Sequence, residues 1–492
     1  MICLPDLVSK IKDYNPEADF KLLEKAFEFS QISHEGQFRA SGEPYFIHPF
    51  MTAMILADYK MDFTSIIVGL LHDTTEDGGV TLEEIEKEFG EEIANLVDGV
   101  TKVSNIKLRG SSEERFIENL RKIILAMSKD LRVIMVKLCD RLHNMMTLQY
   151  LPEERQKKLS RETLEMYAPL AERLGMGEIK GKLEDLSFPF LHPQQYQDLI
   201  EYSRPYFKKS GEFLEKATRE VYKKLAEEKI RAKVTYRPKH LYSLWVKLQR
   251  PEIGGDIGKI YDLVAMRVLV ENVRDCYAAL GIIHEMWKPV PWIGIRDFVA
   301  QPKPNGYRSI HTNVFSLHER ILEIQIRTHE MHEQAENGVA AHWFYATEKN
   351  KKVSDSKLEK GKVFAPDEKL SWVKQLVSWQ KEMVDTKEFV EALKFDGLAT
   401  RIFVFSPKGD VFDLPNGATP IDFAYAVHSD LGDQASGAKV NGKMACLDFK
   451  LKSGDMVEIL KKEGSKPTAG WLDFVVTNLA RRNILKVSRG KI

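Results

Sequence analysis

Apolar positions along the first two hundred residues recur every three or four residues. Leu22, Leu23, Ala26, Phe27 and Phe29 form one such run, and Ile117, Leu120, Ile123, Ile124 and Met127 form another. That period predicts amphipathic helices, and strand-type alternation is nearly absent there. From about residue 205 the pattern changes. A charged stretch from Glu212 to Lys229 predicts a long helix. Short β-type runs follow: LVAMRVLV (263–270), NVFSL (313–317) and ILEIQIRT (321–328), separated by helical stretches such as DCYAALGIIHEMW. This order predicts an α+β unit with a mostly antiparallel sheet. Residues 346–369 are polar and Lys-rich without apolar period, which reads as a linker, and LSWVKQLVSWQKEMV after it reads as a short amphipathic helix. From 398, two strands around the turn PKGD and a helix opening after ATPIDF describe a small β-grasp-like module. The expected division is therefore 1–200, all-α; 201–345, α+β; 346–397, linker and amphipathic helix; 398–462, β-grasp; and 463–492, the start of a further helical region. No internal repeat is visible.

Composition narrows the possibilities. A chain of 492 residues should hold about three domains. Lys plus Arg equals Asp plus Glu at 72 each. That balance argues against a general nucleic-acid coat, which would carry a basic excess. No run of ~18 apolar residues predicts a membrane span, and the N-terminus lacks a signal-peptide pattern. Cys3, Cys139, Cys276 and Cys446 are scattered without a CxxC pair, as in reduced cytoplasmic proteins.

The chemistry gathers in short strings. LLHDTTEDGG (70–79) drives an apolar helical run straight into His72, Asp73, Glu76 and Asp77. Carboxylates at the end of a core helix are costly to bury unless something neutralises them. Asp140 follows another apolar run, VIMVKLC, and His48 lies in RASGEPYFIHP (39–49). Two imidazoles and two carboxylates suit Mn, Fe or Zn better than Mg alone. Glu76 lies four residues after His72, and Asn144 four after Asp140, so each pair is expected to share a helix face. The second members could hold or activate a water, which a metal would acidify towards a pKa of ~7.

SGEPYFIHP, LLHDTTED and DRLHNMMTL resemble the HD hydrolase domain of the bifunctional RelA/SpoT homologues, enzymes that make and destroy the alarmone (p)ppGpp. The resemblance implies His48, His72, Asp73 and Asp140 as Mn²⁺ ligands, and Glu76 and Asp77 as the catalytic acidic pair. It also implies that Arg39 and Asn144 line the nucleotide site. Where the family often carries a second basic residue after Arg39, this chain has Ala40.

The α+β unit carries a second set. YRPKHLYSLWVK (236–247) strings out Arg237, Lys239, Ser243 and Lys247, with 239, 243 and 247 four apart, a cationic stripe that fits a triphosphate. Asp262 opens one β-run and Arg267 lies five residues on. Period-two alternation sets Glu323, Gln325 and Arg327 on one face of another. Two carboxylates on neighbouring strands could hold Mg²⁺ between phosphates. QPKPNGYRSIHT ends a Pro-rich loop with Tyr307 and His311, where an exposed Tyr would offer a surface for stacking a base. These strings are similar, in order, to the synthetase domain of the same family, a nucleotidyltransferase-like fold. That implies Arg237 and Arg267 around the adenine of ATP, with Lys239, Ser243 and Lys247 on its phosphates. Asp262 and Glu323 would handle Mg²⁺, Glu323 serving also as base on the acceptor 3′-hydroxyl. Tyr307 would stack on the guanine of GDP or GTP, and Lys303 and His311 would face the acceptor phosphates. The bifunctional subgroup usually has a basic RFKD-type string after its PxP turn. Here PVPWIGIRDFVA has one base, Arg296, before Asp297. It is not acidic, so the bifunctional reading stands, with a hydrolase bearing a weak or regulatory synthetase as the alternative.

The last module looks like a TGS domain, in which His428 matches the histidine that senses uncharged tRNA on the ribosome. Long family members continue past this point, so the resemblance implies a truncated or short form. The tandem layout of opposed reactions implies reciprocal control.

Overall fold

The computed structural model describes residues 3–104, 121–127, 129–261, 263–303, 306–317, 320–338, 401–462 and 464–489. The expected linker and amphipathic helix of 346–397, and Asp262, lie outside the described residues. The chain divides into two compact units, Met1–Asp367 and Glu368–Ile492.

The first unit opens with helices α1 (Leu4–Lys12), α2 (Phe20–Ser33), α3 (Ile47–Asp58), α4 (Phe63–Leu71), α5 (Leu82–Phe89), α6 (Glu91–Ser104) and α7 (Arg132–Met146). The Asp62 carboxylate caps α4 by accepting from the Ser65 amide at 3.0 Å. Thr81 and Glu84 form a reciprocal capping box on α5. α7 is buried almost all round, and the polar side chains it buries, Arg132, Lys137, Asp140 and His143, all find charged or hydrogen-bonding partners. α3 and α4 lie against each other at Gly69, where an added Cβ would stand 2.6 Å from Leu56 Cδ1 and 3.3 Å from Ala53 Cα. That close approach brings the start of α3, with His48, beside the end of α4, with His72. α8 (Glu153–Glu162), a π-turn (Thr163–Tyr167), α9 (Ala168–Arg173) and α10 (Gly177–Leu191) complete the helical part.

α11 (Pro193–Glu227) is 35 residues long, about 52 Å. It starts well before Glu212, where the charged period begins, because its first half is held by packing: Leu199 is buried against the same core as Leu214, Val221 and Leu225. Beyond it lie β1 (Ala232–Pro238), α12 (Leu241–Leu248), β2 (Val264–Val270), α13 (Val273–Met286), β3 (Arg296–Asp297), β4 (Ile310–Phe315), β5 (Ile321–Thr328) and α14 (His329–Asn337). The sheet runs β1-β2-β5-β4-β3, with β2 and β5 parallel and every other pair antiparallel. The apolar strand residues Met266, Val268, Ile310, Ile324 and Ile326 make its core with α11 and α13.

The second unit pairs β6 (Arg401–Phe405) with β7 (Val411–Pro415), and β8 (Ala435–Val440) with β9 (Lys443–Ala445) and β10 (Val457–Lys461). α15 (Pro420–Val427) packs on them through Phe423. The buried Asp422 accepts from the Thr419 amide and hydroxyl at its own helix start, and from the Val476 and Thr477 amides ahead of α17 (Asn478–Arg489). The short α16 (Ser429–Asp433) lies between α15 and β8. The four cysteines are unpaired, and no helix among the described residues is long and apolar enough to cross a membrane.

Candidate functional sites

Three helices converge on the first site. His48 comes from the first turn of α3, His72 and Asp73 from the end of α4, and Asp140 from the middle of α7; all four are buried. His48 Nε2 lies 3.1 Å from Asp140 Oδ1 and 3.5 Å from Asp73 Oδ2. His72 Nε2 lies 3.2 Å from Asp73 Oδ1 and 4.0 Å from Asp140 Oδ1. The donor atoms of His48, His72 and Asp140 all fall within 4.8 Å of one another, with Asp73 at their edge.

The proton positions matter. His72 Nδ1 sits 2.9 Å from the Gly69 carbonyl, so Nδ1 carries the proton and Nε2 presents its lone pair. That buried Nε2 makes no hydrogen bond. Arg39 donates to His143 Nδ1 at 3.1 Å, which makes that atom an acceptor; His48 Nδ1, 2.8 Å from it, is then the donor. His48 Nε2 is thus bare as well. Burial lowers the His48 pKa, which keeps the ring neutral. Burial works against the Asp140 carboxylate, but the Lys137 ammonium holds its pKa well below the usual range. Two imidazole lone pairs facing carboxylate oxygens in a buried pocket repel unless a cation lies between them. The donor set fits a divalent metal of the Mn, Fe or Zn class.

Around this centre, Tyr45 places its hydroxyl 2.8 Å from Asp77 Oδ2 and 3.2 Å from Asp73 Oδ2, tying the TTED turn to the cluster. Asn144 donates to Asp140 Oδ1 at 2.6 Å and accepts from Arg39 at 2.8 Å. Burial, with His48 and the Arg39 guanidinium beside it, pushes His143 down to about 3. A cavity of about 590 Å³ opens next to the cluster, lined among others by Arg39, Ala40, Lys137, Arg141, Asn144 and Tyr167. One expectation needs correction. α4 ends at Leu71 and residues 72–77 form a turn, so His72 and Glu76 do not share a helix face. The Glu76 and Asp77 amides instead bond back to the Asp73 carbonyl at 3.1 and 2.9 Å. Asp140 and Asn144 do share one.

The second site lies on the sheet. The register sets Arg267, Gln325, His311 and Arg296 in one row across four strands. Glu323, two residues before Gln325, is buried, with Oε1 2.9 Å from His311 Nδ1 and 3.5 Å from Arg296. The Tyr307 hydroxyl pairs with His311 Nε2 at 2.7 Å, and the Lys303 ammonium sits 5.1 Å from the Tyr307 ring centre. Tyr307 is therefore half-buried and engaged, not an exposed platform. Lys239 departs from the expected stripe too. It precedes α12, and its amide bonds to the Leu263 carbonyl at 3.0 Å, prolonging the β1–β2 pairing. Only Ser243 and Lys247 lie on the helix; Arg237 is in β1.

The arginines meet carboxylates that sequence reasoning passed over. Glu336 on α14 lies 3.2 Å from Arg267, 3.0 Å from the fully buried Arg327 and 3.9 Å from Arg237. Burial and the neighbouring Arg327 lower Arg267 to about 10. One face of α10 reaches across from the helical part. Glu178 lies 3.2 Å from Arg237, Asp185 pairs with His240 Nδ1 at 2.7 Å and accepts from the Tyr242 amide at 2.9 Å, and Glu184 accepts from Ser243 at 3.4 Å. Between them the His240 ring covers Gly181, where a Cβ would stand 2.2 Å from Nε2. Gly181→Ala should therefore push His240 off α10 at a cost of about 1–3 kcal/mol. Thermal unfolding of the variant, lowered relative to wild type, checks this. A cavity of about 300 Å³ lies in this junction, bordered by Glu184, Arg237, Ser243, Arg267, Tyr307 and Glu336. In the second unit, His428 caps α16: its exposed ring accepts from the Asp430 amide at 3.2 Å.

Tyr45, Lys137 and His143 stand inside or beside the quoted strings, so their spacing to His48 and Asp140 was available as a signal. Glu178, Asp185 and Glu336 had none, since each reads as an ordinary charge on a helix.

Three family descriptions match the chain in order: an HD domain over 26–177, a region found in RelA/SpoT proteins over 236–350, and a TGS domain over 402–461. The chain is 46% identical over 476 residues to a GTP pyrophosphokinase of Myxococcus xanthus, covering 96% of this chain and 61% of that protein. It is 43% identical over 483 residues to the bifunctional (p)ppGpp synthase/hydrolase RelA of Mycobacterium tuberculosis, covering 98% and 64%. It is 42% identical over 480 residues to a guanosine-3′,5′-bis(diphosphate) 3′-pyrophosphohydrolase of Aquifex aeolicus, covering 97% and 66%. The chain spans about 60% of the length of the curated relatives it matches. With all three domains in order and such likeness over nearly its whole length, the chain belongs to the RelA/SpoT family.

Proposed function

We propose that this chain is a bifunctional stringent-response enzyme of the cytoplasm. One site transfers pyrophosphate from ATP to the 3′-hydroxyl of GDP or GTP; the other hydrolyses (p)ppGpp to GDP or GTP and pyrophosphate. The observation that carries the reading is the pair of separate sites in one compact unit: a buried cluster of imidazoles and carboxylates, and a sheet row of cations around Glu323.

In the hydrolase, His48, His72, Asp73 and Asp140 would hold Mn²⁺, whose chemistry is to acidify water and polarise a phosphoryl oxygen. Glu76 and Asp77 take up the water's proton and aim it, Tyr45 holding Asp77 in place. Arg39 and Asn144 line the cavity and orient the nucleotide. In the synthetase, Arg237 and Arg267 flank the adenine, and Lys239, Ser243 and Lys247 hold the ATP phosphates. Asp262 and Glu323 would hold Mg²⁺. Glu323 accepts the 3′-hydroxyl proton as that oxygen forms its bond to the β-phosphorus and AMP leaves. Lys303 and His311 face the acceptor phosphates, and Tyr307 lies against the guanine. The TGS unit, with His428 exposed, is the part to engage uncharged tRNA and the ribosome.

A specific observation favours the alternative of a weak or regulatory synthetase. Glu178 and Glu336 already occupy the arginines that ATP needs. Because Glu178 belongs to α10 of the helical part, the same contact supports reciprocal control, ATP having to displace it.

One assay under two conditions tests the reading. With Mg²⁺, ATP and GDP the protein is expected to yield AMP and ppGpp. With Mn²⁺ and ppGpp it is expected to yield GDP and pyrophosphate, and a chelator should stop the second reaction. Breakdown without synthesis would establish the alternative, and neither reaction would sink both. An unreactive ATP analogue at saturation should slow the breakdown; unchanged turnover would exclude reciprocal control.

A further inference from the structure

The carboxylate of Asp140 is divided between two tasks. Its Oδ1 faces the imidazoles and accepts from Asn144. Its Oδ2 bonds to the ammonium of Lys137, one turn earlier on α7. Lys137 is 7% exposed and Asp140 5%. An ammonium so deeply buried is costly unless paired, which makes this contact a fixed part of the site and not a surface accident. Lys137 also borders the cavity beside the cluster.

We propose that Lys137 is a positioning residue that restricts Asp140 to one-oxygen ligation, so that a coordination position on the metal stays open for water. The proposal rests on the metal-hydrolase reading of the same site. Metal centres that catalyse keep an open position, whereas closed ones serve structure. A carboxylate can hold a divalent cation through one oxygen or through both. With Lys137 on Oδ2, only Oδ1 turns to the metal. Removing the ammonium frees Oδ2 to close on the cation, and it also removes a positive charge beside the site. Both changes act in the same direction: they strengthen metal binding while taking away the place where water reacts. A residue that merely supported the fold would weaken metal binding and turnover together when removed.

The test uses the full chain, stripped of metal by chelation, as wild type, Lys137→Met and Lys137→Gln. Mn²⁺ affinity is read by calorimetry, the number of waters on Mn²⁺ by water-proton relaxation, and folding by thermal melts. Lys137→Met is expected to bind Mn²⁺ at least tenfold more tightly, to carry fewer waters on it, and to break down ppGpp at least tenfold more slowly. Lys137→Gln, which keeps a donor to Oδ2 without the charge, should bind more tightly than wild type but retain more turnover than Lys137→Met. Equal or weaker Mn²⁺ affinity in Lys137→Met overturns the proposal. If that variant does not fold, unchanged affinity and water count in Lys137→Gln overturn it instead. A wild-type chain that binds no Mn²⁺ would fail the metal-hydrolase reading itself, an outcome separate from the other two.

Discussion

Glu76→Gln is expected to leave Mn²⁺ binding as in wild type and to slow ppGpp breakdown roughly 10²- to 10⁴-fold, the usual contribution of a positioned acid or base. The reason lies in the turn after α4. His72 belongs to the three residues whose donor atoms lie within 4.8 Å of one another, and Asp73 lies 3.2 and 3.5 Å from the two imidazoles, while Glu76 is not one of those three. Its amide is tied to the Asp73 carbonyl, so the carboxyl sits one turn beyond the cluster at a fixed backbone position. An amide side chain has the same shape but cannot take up a proton. Calorimetry with Mn²⁺ and a breakdown assay separate the two effects. His72→Ala supplies the contrast, since it should lose both metal and turnover. Breakdown within a few-fold of wild type in Glu76→Gln would return the TTED half of the string to a structural role. Reduced Mn²⁺ affinity would instead make Glu76 a ligand.

How far such sites can be read from sequence depends on what holds each residue. His48, His72, Asp73 and Asp140 were visible because each stands in or just past an apolar helical run, and the structure brings these positions together. That convergence follows from the close contact of α3 and α4 at Gly69, which no spacing rule contains. The His72–Glu76 pairing misled because it assumed the helix continued; the chain leaves it at Leu71. Lys239 misled in the same manner, since the four-residue period ran across a strand-to-helix junction. Tyr307 was read as exposed because loops usually are. Its hydroxyl is instead taken by His311, four residues on, at the start of a buried strand. Charges on solvated helices look alike in sequence, so nothing marked Glu178, Asp185 and Glu336 as the carboxylates that hold a cationic site together. Two central strands were legible, LVAMRVLV over β2 and ILEIQIRT over β5, whereas NVFSL reached only the second half of β4 and neither β1 nor β3 was singled out. ILEIQIRT is the full extent of β5, because a central strand buried on both faces must be apolar or chemically engaged at every position.

That double burial makes Glu323 the more demanding case, and Glu323→Gln the second large expected effect. The substitution should reduce synthesis of ppGpp roughly 10²- to 10⁴-fold through kcat, with the KM for ATP little changed and ppGpp breakdown retained. Glu323 sits at 6% exposure in the middle of β5, where a carboxylate stays charged only if its neighbours compensate it. Arg296 at 3.5 Å supplies one compensating charge, and Gln325 donates to Oε1 at 3.3 Å. His311 is held neutral, its pKa lowered by burial against the help of Glu323. The Tyr307 hydroxyl takes Nε2, and Nδ1 lies 2.9 Å from Glu323 Oε1 without forming an aligned hydrogen bond to it. Tyr307 thus holds the His311 ring beside Glu323, and Gln325 and Arg296 bear on the carboxylate itself, which keeps a proton acceptor on the sheet. An amide in place of the carboxylate would preserve the volume and most of these contacts, so the fold should survive, and intact breakdown in the other site would report it. The arginines proposed to flank ATP, Arg237 and Arg267, lie on β1 and β2 and bear on Glu336, not Glu323, which is why binding of ATP should be spared. If synthesis fell less than tenfold, the base on the 3′-hydroxyl would have to be sought elsewhere. A rise in KM with kcat intact would assign Glu323 to holding ATP rather than to moving the proton.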